Sequence, residues 1–262
     1  MKLDYKNWIP DSLLLGAGAG TALFGTVFAV LQMTDSGKGT LGKVLKTAAG
    51  GLTLAGAATE IYSIAAYRAF SYHGKKQLSR HIIEGTAQYI DLPDGGRGLD
   101  IGCGSGALTI ACAKRNPKAS MMGLDRWGKE YAAFSRNLCE KNADIEGVAE
   151  QTDFVKGDAC HLDFEDETFD AVTSNYCYHN ITFRNKQELL RETLRVLKKG
   201  GTFAIHDIFT RSRYGDMEAF MEQLREEGYE SVRLIDTTNR FMDRKTAKLL
   251  GLEGSALLTG KK

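Results

Sequence analysis

The chain has 262 residues, with 34 Lys and Arg against 33 Asp and Glu, and a formal net charge of +1. This balance provides no basic face of the kind that nucleic-acid binding usually needs, so we expect no nucleic-acid partner. The five cysteines form no C-x-x-C pair. They therefore indicate reduced thiols in a reducing compartment rather than a disulfide framework.

The N-terminal quarter of the chain is strongly apolar. Residues 12–34 carry no charged side chain, and as a helix about 23 residues would extend roughly 34 Å, enough for the hydrocarbon core of a bilayer. A second apolar stretch, residues 47–67, has Glu60 as its one charged residue. We predict an N-terminal transmembrane helical hairpin with helices at about 12–34 and 47–68, within an anchoring region of residues 1–70.

Other interpretations of these stretches remain open. The first could be a cleaved signal peptide, which Asp4, Asp11 and the lack of an A-x-A site disfavour, or part of a buried soluble hairpin. The second could be a re-entrant or surface helix, because Glu60 is costly in lipid. Small residues four apart, Gly16 with Gly20 and Gly51 with Ala55, predict the faces on which the two helices pack.

Strand and helix patterns alternate from about residue 72 onward. Such alternation predicts a parallel sheet covered by helices on both faces, with ligands bound at the carboxyl ends of the strands. The predicted helices are 75–90, 107–115, 129–142, 185–201 and 216–228. The predicted strands are 97–102, 119–125, 152–158, 168–175 and 202–209, with 229–237 and 255–261 as a closing pair.

The stretch "LDIGCGSGALTI", residues 99–110, begins in the first predicted strand and continues into the helix that follows it. Its glycines fit two templates, the dinucleotide fingerprint G-x-G-x-x-G/A and a tighter G-x-G-x-G. Asp100 precedes them, where a carboxylate suits a ligand with an ammonium group better than a pyrophosphate. Asp125 ends the second strand, where an acid can accept both ribose hydroxyls. Asp158 ends the third strand and can accept from an adenine amino group.

Four blocks together carry a more specific signal than the glycines alone. "LDIGCGSG", "LD" at 124–125, "GDA" at 157–159 and "LRVLKKGGTFAI" resemble the class I S-adenosylmethionine-dependent methyltransferases. The resemblance covers roughly Tyr72 to the C-terminus. It implies an α/β, Rossmann-like doubly wound seven-stranded sheet with an antiparallel last strand, in a domain of residues 71–262, and S-adenosyl-L-methionine as cofactor. The predicted cofactor-binding residues are Asp100, Gly102, Cys103, Gly104, Gly106, Asp125, Arg126, Trp127, Asp158, Ala159 and Asn175.

Polar side chains that follow the fourth and fifth strands are the candidates for catalysis. His179 is a possible general base because its ordinary pKa is near neutrality, and its alternative is a helix cap or a pocket wall. His206 and Tyr178 are the other predicted catalytic residues. Tyr72, His73 and Tyr176 are predicted to contact the substrate, with Tyr72 and His73 alternatively serving as interface anchors. We expect no metal, because no His, Cys and Asp cluster has metal-ligand spacing.

These observations together predict a membrane-anchored S-adenosylmethionine-dependent methyltransferase. A pocket held at a bilayer meets lipophilic acceptors at high local concentration, so we expect a small lipophilic acceptor such as a lipid, a quinone-like compound or a thiol. The predicted localisation is an integral membrane protein with a cytoplasmic catalytic domain. The alternative function is a membrane-tethered cofactor-binding protein without turnover.

Overall fold

The structure, a computed structural model, describes residues 2–128, 133–182 and 185–262. The chain divides into two compact units, one of residues 7–79 and one that combines residues 80–262 with the first six positions of the chain. The predicted boundary at residues 70 and 71 therefore differs from the structure in two ways. The second unit begins at Arg80, and the N-terminal segment (residues 2–6) belongs to it, because that segment packs on a helix of the second unit.

Two long helices form the first unit, α1 (Asp11–Met33) and α2 (Thr40–Phe70). They run antiparallel: a Cβ built on Gly56 would meet Thr21, and one built on Gly50 would meet Phe28. Within the described residues, α1 is the one helix that is long and apolar enough to cross a membrane. Several of its large side chains are exposed, including Leu15 at 74 %.

The small residues that bring α1 and α2 together are not the predicted ones. Among the described residues, no atom lies within 4 Å of a Cβ built on Gly16, Gly20 or Gly51. Gly18 makes a close approach instead, since its Cβ would lie 3.3 Å from Oε1 of Glu60. The Glu60 carboxyl group therefore faces α1 and not the outside of the pair, which lowers the cost of a carboxyl group in an apolar helix.

A seven-stranded sheet forms the centre of the second unit. The strand order is β3-β2-β1-β4-β5-β7-β6, in which β7 runs antiparallel to both of its neighbours and the other pairs are parallel. This confirms the predicted doubly wound fold with an antiparallel last strand. The strands are β1 (Arg97–Ile101), β2 (Ser120–Asp125), β3 (Thr152–Lys156), β4 (Phe169–Asn175), β5 (Leu197–Ile208), β6 (Ser231–Asp236) and β7 (Ser255–Lys261).

Helices cover both faces of this sheet and bury its apolar side chains. The core joins residues of β1, β4 and β5, such as Leu99, Val172 and Phe203, to apolar side chains of the covering helices. The helices are α3 (Leu78–Ala87), α4 (Ala107–Arg115), α5 (Arg136–Glu146), α6 (Lys186–Arg195), α7 (Arg211–Tyr214), α8 (Met217–Glu226) and α9 (Arg244–Leu249).

Several predicted helices have different bounds in the structure. The second apolar helix, expected at about 47–68, begins at Thr40, and the helix expected over 75–90 is Leu78–Ala87. The helix expected over 129–142 begins at Arg136, and residues 129–132 lie outside the described residues. The helix expected over 185–201 ends at Arg195, and β5 begins at Leu197. Tertiary pairing explains this early start, because Leu197 pairs with Phe169 of β4 and the Gly200 N–H donates to the Lys262 carbonyl oxygen at 2.6 Å.

Candidate active site

The loop from Gly102 to Gly106 joins β1 to α4 and forms the floor of the candidate site. Gly102, Gly104 and Gly106 all have positive φ angles, between 56° and 79°. This is the left-handed region that glycine adopts without steric cost. A Cβ on Gly102 would lie 2.3 Å from the sulfur of Cys177, whereas for Gly104 the nearest described atom would be Phe134 Cδ1 at 3.8 Å. A Cβ at Gly104 would thus make only ordinary van der Waals contact with the Phe134 ring, so the backbone of Gly104 is less crowded than that of Gly102.

Asp100 lies in β1 directly beneath this loop and is 1 % exposed. Its carboxyl oxygens accept from the hydroxyls of Thr109 at 2.7 Å and Thr173 at 2.9 Å. Burial raises the pKa of Asp100 to about 6, since low polarity disfavours the charged form. The site therefore holds a carboxyl group whose ionised form is stabilised by any cationic group that binds beside it.

Asp125 and Trp127 border the loop from the end of β2. Oδ2 of Asp125 accepts from the Gly104 N–H at 2.9 Å, and Oδ1 accepts from the Trp127 N–H at 2.8 Å. The indole Nε1 donates back to the Gly104 carbonyl oxygen at 3.0 Å. Trp127 has a φ of 41°, a left-handed conformation that is uncommon for a bulky side chain and that this network maintains. Arg126, between them, is exposed.

The end of β3 lies beside Asp125, because the Gly157 N–H donates to the Asp125 carbonyl oxygen at 3.0 Å. This contact brings the predicted adenine-binding residues Asp158 and Ala159 next to the predicted ribose acceptor. Asp158 is exposed, and its Oδ1 accepts from the Cys160 N–H at 2.9 Å. The acids that end β1, β2 and β3 thus lie along one edge of the sheet, where an adenosine cofactor binds in folds of this type.

The strand end that faces the loop from the other side carries a His–Asp pair. His179 lies in a 3₁₀ turn, Tyr178–Asn180, which follows β4. Its Nδ1 lies 2.8 Å from Oδ1 of Asp207, and its backbone N–H donates to Oδ2 at 3.1 Å. An ionised carboxylate only accepts hydrogen bonds, so Nδ1 carries the proton and Nε2 presents a lone pair. Nε2 has no hydrogen-bond partner among the described residues.

Asp207 is a site residue that the sequence analysis placed beside His206 at the end of the fifth strand but did not count among the catalytic residues. It is completely buried and also accepts from the Ile208 N–H, so three donors satisfy its carboxylate. The signal for it was weak, since Asp207 lies 28 residues from His179 and next to another candidate, His206. Only the pairing of β4 with β5, which sets Asn175 opposite His206, brings Asp207 to His179.

His206 is completely buried, and both of its ring nitrogens have partners. Nδ1 lies 2.9 Å from Asn175 Oδ1, and Nε2 lies 2.8 Å from the Thr237 hydroxyl. Burial lowers the pKa of His206 to about 3. A histidine in this state is a poor proton acceptor near neutrality, so this placement favours a structural role over the predicted catalytic one.

Tyr176 and Tyr178 occupy different environments although they are two residues apart. Tyr176 has a φ of 48°, its hydroxyl pairs with Ser255, and its ring meets those of His179 and His206 edge-on. Tyr178 is completely buried in the core, with its hydroxyl on Thr193. Burial raises the pKa of the Tyr178 hydroxyl. This position gives Tyr178 a packing role and leaves Tyr176 as the ring beside the proposed base.

The remaining predicted residues divide between the two units. Cys103 is buried in the glycine loop, where burial raises the pKa of its thiol, so it contributes backbone groups. Asn175 is half-buried and orients His206. Tyr72 and His73 belong to the unit of residues 7–79, and their contact with the substrate stays a prediction. Over the described ranges, no group of three or more His, Cys, Asp or Glu could hold a metal ion.

Comparison with known proteins agrees with this geometry. Residues 99–205 match a family model described as a methyltransferase domain. A demethylmenaquinone methyltransferase from Lactiplantibacillus plantarum is 34 % identical over 122 residues, which is 46 % of this chain and 48 % of that protein. A phthiotriol/phenolphthiotriol dimycocerosates methyltransferase from Mycobacterium ulcerans is 31 % identical over 137 residues, 51 % of this chain and 45 % of that protein. The chain thus spans about half the length of these curated relatives.

Solved structures share the fold at low identity. The [4+2]-cyclase SpnF superposes with a TM-score of 0.55 and 21 % identity, over 72 % of this chain and 84 % of that chain. A geranyl diphosphate methyltransferase superposes with a TM-score of 0.55 and 12 % identity, over 74 % of this chain and 81 % of that chain. These similarities show the fold alone. The class of reaction is indicated by the methyltransferase domain matched over residues 99–205, which contains the glycine loop. Residues 99–205 therefore form a methyltransferase domain, and the glycine loop and acids within it fit S-adenosylmethionine as the cofactor.

Proposed function

We propose that the chain is a membrane-anchored methyltransferase that transfers a methyl group from S-adenosylmethionine to a small lipophilic acceptor. The acceptor class is a quinone-like compound, a lipid or a hydrophobic thiol. Relatives named for demethylmenaquinone and for phthiotriol dimycocerosates support a lipophilic acceptor. The apolar, exposed surface of α1 supports placement at a bilayer, where such acceptors are concentrated.

The residues around the glycine loop fit the cofactor. When bound, S-adenosylmethionine supplies an electrophilic methyl group on a positively charged sulfur. Asp100 offers a buried carboxylate for the ammonium group of the methionine part, and Asp125 offers carboxylate oxygens for the ribose hydroxyls. Gly104 leaves room above its backbone because a Cβ there would meet no described atom nearer than 3.8 Å. Asp158 and Ala159 are the proposed contacts for the adenine ring.

The His179–Asp207 pair is the observation that carries the proposed reaction. Asp207 holds the imidazole with Nδ1 protonated, so that Nε2 of His179 can take a proton from a hydroxyl or thiol of the acceptor. The buried carboxylate then stabilises the imidazolium that forms, as in other His–Asp pairs. This step leaves the acceptor atom with the lone pair that attacks the methyl group. The Tyr176 ring, whose centroid lies 5.8 Å from that of the His179 ring, limits the positions open to the imidazole.

A membrane anchor also fits the composition of the N-terminal unit. In α1 no residue is buried, and its 23 residues are long enough to cross a bilayer. The carboxyl group of Glu60 lies against Gly18 of α1, so that α2 could accompany α1 through the bilayer. We propose that the methyltransferase domain lies on the cytoplasmic side, where the five free thiols stay reduced.

The experiment is methyl transfer by the full-length protein in vesicles. Labelled S-adenosylmethionine is supplied with a polyprenyl naphthoquinol, a hydrophobic thiol or phospholipid alone, and the product is identified by mass spectrometry. Methylation of one of these that falls with His179→Ala but not with His81→Ala, a change at an exposed histidine of α3, supports the proposal. Binding of S-adenosylhomocysteine with no methylated product from any acceptor would favour the alternative of a cofactor-binding protein without turnover.

A further inference from the structure

The N-terminal segment (residues 2–6) is attached to α5 by buried contacts. The Asp4 N–H donates to Asn142 Oδ1 at 3.0 Å, and Asn142 Nδ2 donates to the Asp4 carbonyl oxygen at 2.9 Å. The Tyr5 side chain is 4 % exposed, and its hydroxyl donates to Glu146 Oε1 at 3.3 Å. The residues that precede α1 are therefore part of the methyltransferase unit.

The same asparagine reaches the glycine loop. Asn142 is 1 % exposed, and its Nδ2 also donates to the Ser105 carbonyl oxygen at 3.1 Å. An asparagine amide has two N–H donors and one carbonyl acceptor. In Asn142 one donor serves Asp4, the other serves Ser105, and the carbonyl accepts from Asp4. A single side-chain orientation satisfies all three bonds, so the segment and the loop fix Asn142 jointly.

A second contact between α5 and the loop lies one turn earlier in the helix. The Cys139 thiol donates to the Gly104 carbonyl oxygen at 3.2 Å. Consecutive carbonyl groups of the loop, those of Gly104 and Ser105, are thus held by one helix. Because the backbone N–H of Gly104 is held by Asp125, a shift of α5 changes the shape of the surface on which the cofactor lies.

We propose that the N-terminal segment is a structural part of the cofactor site and that Asn142 is the positioning residue that connects it to the glycine loop. Docking of Asp4 and Tyr5 on α5 orients the Asn142 amide, and the amide orients Ser105 and its neighbours. This inference rests on the proposed function in one respect, the binding of an S-adenosyl compound by the loop. It makes residues that precede the apolar helices a determinant of cofactor affinity.

The test measures binding of S-adenosylhomocysteine to the full-length protein in detergent by calorimetry. Asn142→Ala should weaken binding about 5- to 50-fold, because the loop loses a buried hydrogen bond and its support. Tyr5→Ala, which removes no group near the loop, should weaken it about 3- to 10-fold through the loosened segment. If Asn142→Ala does not fold, Asn142→Asp, which keeps the acceptor for the Asp4 N–H, replaces it.

Asn116 provides the matched control. It is a buried amide whose Oδ1 accepts from the Leu92 N–H at 3.0 Å and whose Nδ2 donates to the Cys112 carbonyl oxygen at 2.9 Å. None of its recorded hydrogen bonds, taken over the described residues, involves the loop. Asn116→Ala should lower the melting temperature to a similar degree and leave the affinity unchanged. Hydrogen exchange of the loop peptide, residues 99–110, in the cofactor-free protein should accelerate with Asn142→Ala and Tyr5→Ala and not with Asn116→Ala.

The double variant distinguishes coupling from general destabilisation. If the segment acts through Asn142, Tyr5→Ala should add little to the loss of affinity caused by Asn142→Ala. An unchanged affinity for Tyr5→Ala, or losses that add fully in the double variant, would overturn the inference while the proposed function stands. Failure of the wild-type protein to bind S-adenosylhomocysteine at all would instead overturn the proposed function.

Discussion

Nδ1 of His179 lies 2.8 Å from Oδ1 of Asp207; His179 follows β4, and Asp207 is the penultimate residue of the neighbouring parallel strand β5. The Asp207 side chain is completely buried, whereas that of His179 retains 17 % exposure. The carboxylate therefore sits behind the imidazole and leaves its other nitrogen toward solvent. Lys186 secures the turn that carries His179, since its Nζ donates to the Tyr178 carbonyl oxygen at 2.8 Å.

Loss of the base or of its orientation should lower turnover without affecting cofactor binding. We expect His179→Ala to reduce turnover by about two to four orders of magnitude, the usual contribution of a general base. Asp207→Asn should reduce it less, about 10- to 1000-fold, because an amide stabilises the wrong tautomer. Turnover and S-adenosylhomocysteine affinity are measured side by side, with His81→Ala as control.

An acceptor that arrives already ionised would give a different result. A thiol of low pKa needs no base, so His179→Ala would then keep its turnover and change only its affinity for the acceptor. Turnover measured against pH distinguishes the cases. A variant that equals the wild type in rate, acceptor affinity and pH profile would exclude His179 from the site.

Removal of the Asp125 carboxylate should weaken cofactor binding directly. Asp125→Ala removes the proposed ribose acceptor and the two backbone N–H contacts that shape the loop, so we expect a loss of about 2–4 kcal/mol in binding free energy. Calorimetry with S-adenosylhomocysteine measures it. Asp153→Ala, on the exposed face of β3, is the control, and equal affinities for the two variants would contradict the assignment.

Asp100 should make the cofactor-free protein less stable as the pH rises. Its pKa is raised to about 6 by burial, so between about pH 4 and pH 6 the unfolded carboxyl group is ionised while the folded one keeps its proton. The free energy of unfolding then falls by up to about 1.4 kcal/mol per pH unit in this window. Asp100→Asn should therefore be more stable than the wild type at pH 7, by about 1–3 kcal/mol, and bind the cofactor more weakly. Denaturant titrations at pH 4 and pH 7 measure the difference, and a variant no more stable at pH 7 would refute it.

His206 should produce the opposite dependence. Its pKa falls to about 3 in the folded protein, so between about pH 6.5 and pH 3 the unfolded chain binds a proton that the folded protein does not. The free energy of unfolding then decreases as the pH falls, by up to about 1.4 kcal/mol per pH unit. Between pH 4 and pH 6, Asp100 and His206 change the free energy of unfolding in opposite directions. Their effects therefore offset each other in the pH profile of the wild type. His206→Gln removes the contribution of His206, so the variant should lose less free energy of unfolding than the wild type between pH 7 and pH 5. Equal losses in the two proteins would contradict this prediction.

The sequence predicted which glycines and acids meet at one edge of the sheet, because such residues recur at fixed positions after the strands of this fold; their contacts with the cofactor stay a prediction. Glycines and acids directly after buried strands must meet at one edge of a parallel sheet, so Gly104, Asp125 and Asp158 could be placed without coordinates. The roles of the residues proposed to face the methyl acceptor could not be predicted as fully from the sequence. His206 lies near the carboxyl end of a strand as Asp125 does, yet it is completely buried.

The remaining features that the sequence did not predict depend on contacts between residues far apart in the chain. Asp4 and Asn142 are 138 residues apart, with both apolar helices between them, and no local pattern links them. The start of β5 at Leu197 also depends on tertiary pairing, since the lysines and glycines that follow it are poor strand formers. The pairing of Leu197 with Phe169 and the hydrogen bonds of Gly200 and Gly201 with Lys262 set their position, rather than their own propensity.

The position of the N-terminal segment constrains how the chain crosses a membrane. Residues 2–6 and residues 80–262 form one compact unit, so they lie on the same side of any bilayer. If α1 crosses, an even number of crossings must separate these two parts, and α2 must therefore return. We expect the connection around Lys38 to lie on the opposite side from the methyltransferase domain.

Sealed vesicles test this topology. One epitope is placed after Lys38 and another after Lys262, each in an otherwise unchanged full-length protein. In vesicles that expose the methyltransferase domain, antibody should reach the C-terminal epitope at once and the Lys38 epitope only after permeabilisation. The protein should also remain in the membrane after carbonate washing. Carbonate releases proteins that electrostatic contacts hold at the surface, but it does not extract apolar helices that are inserted in the bilayer. Access to both epitopes before permeabilisation would show that neither helix crosses, and release by carbonate would remove the membrane anchor from the proposed function.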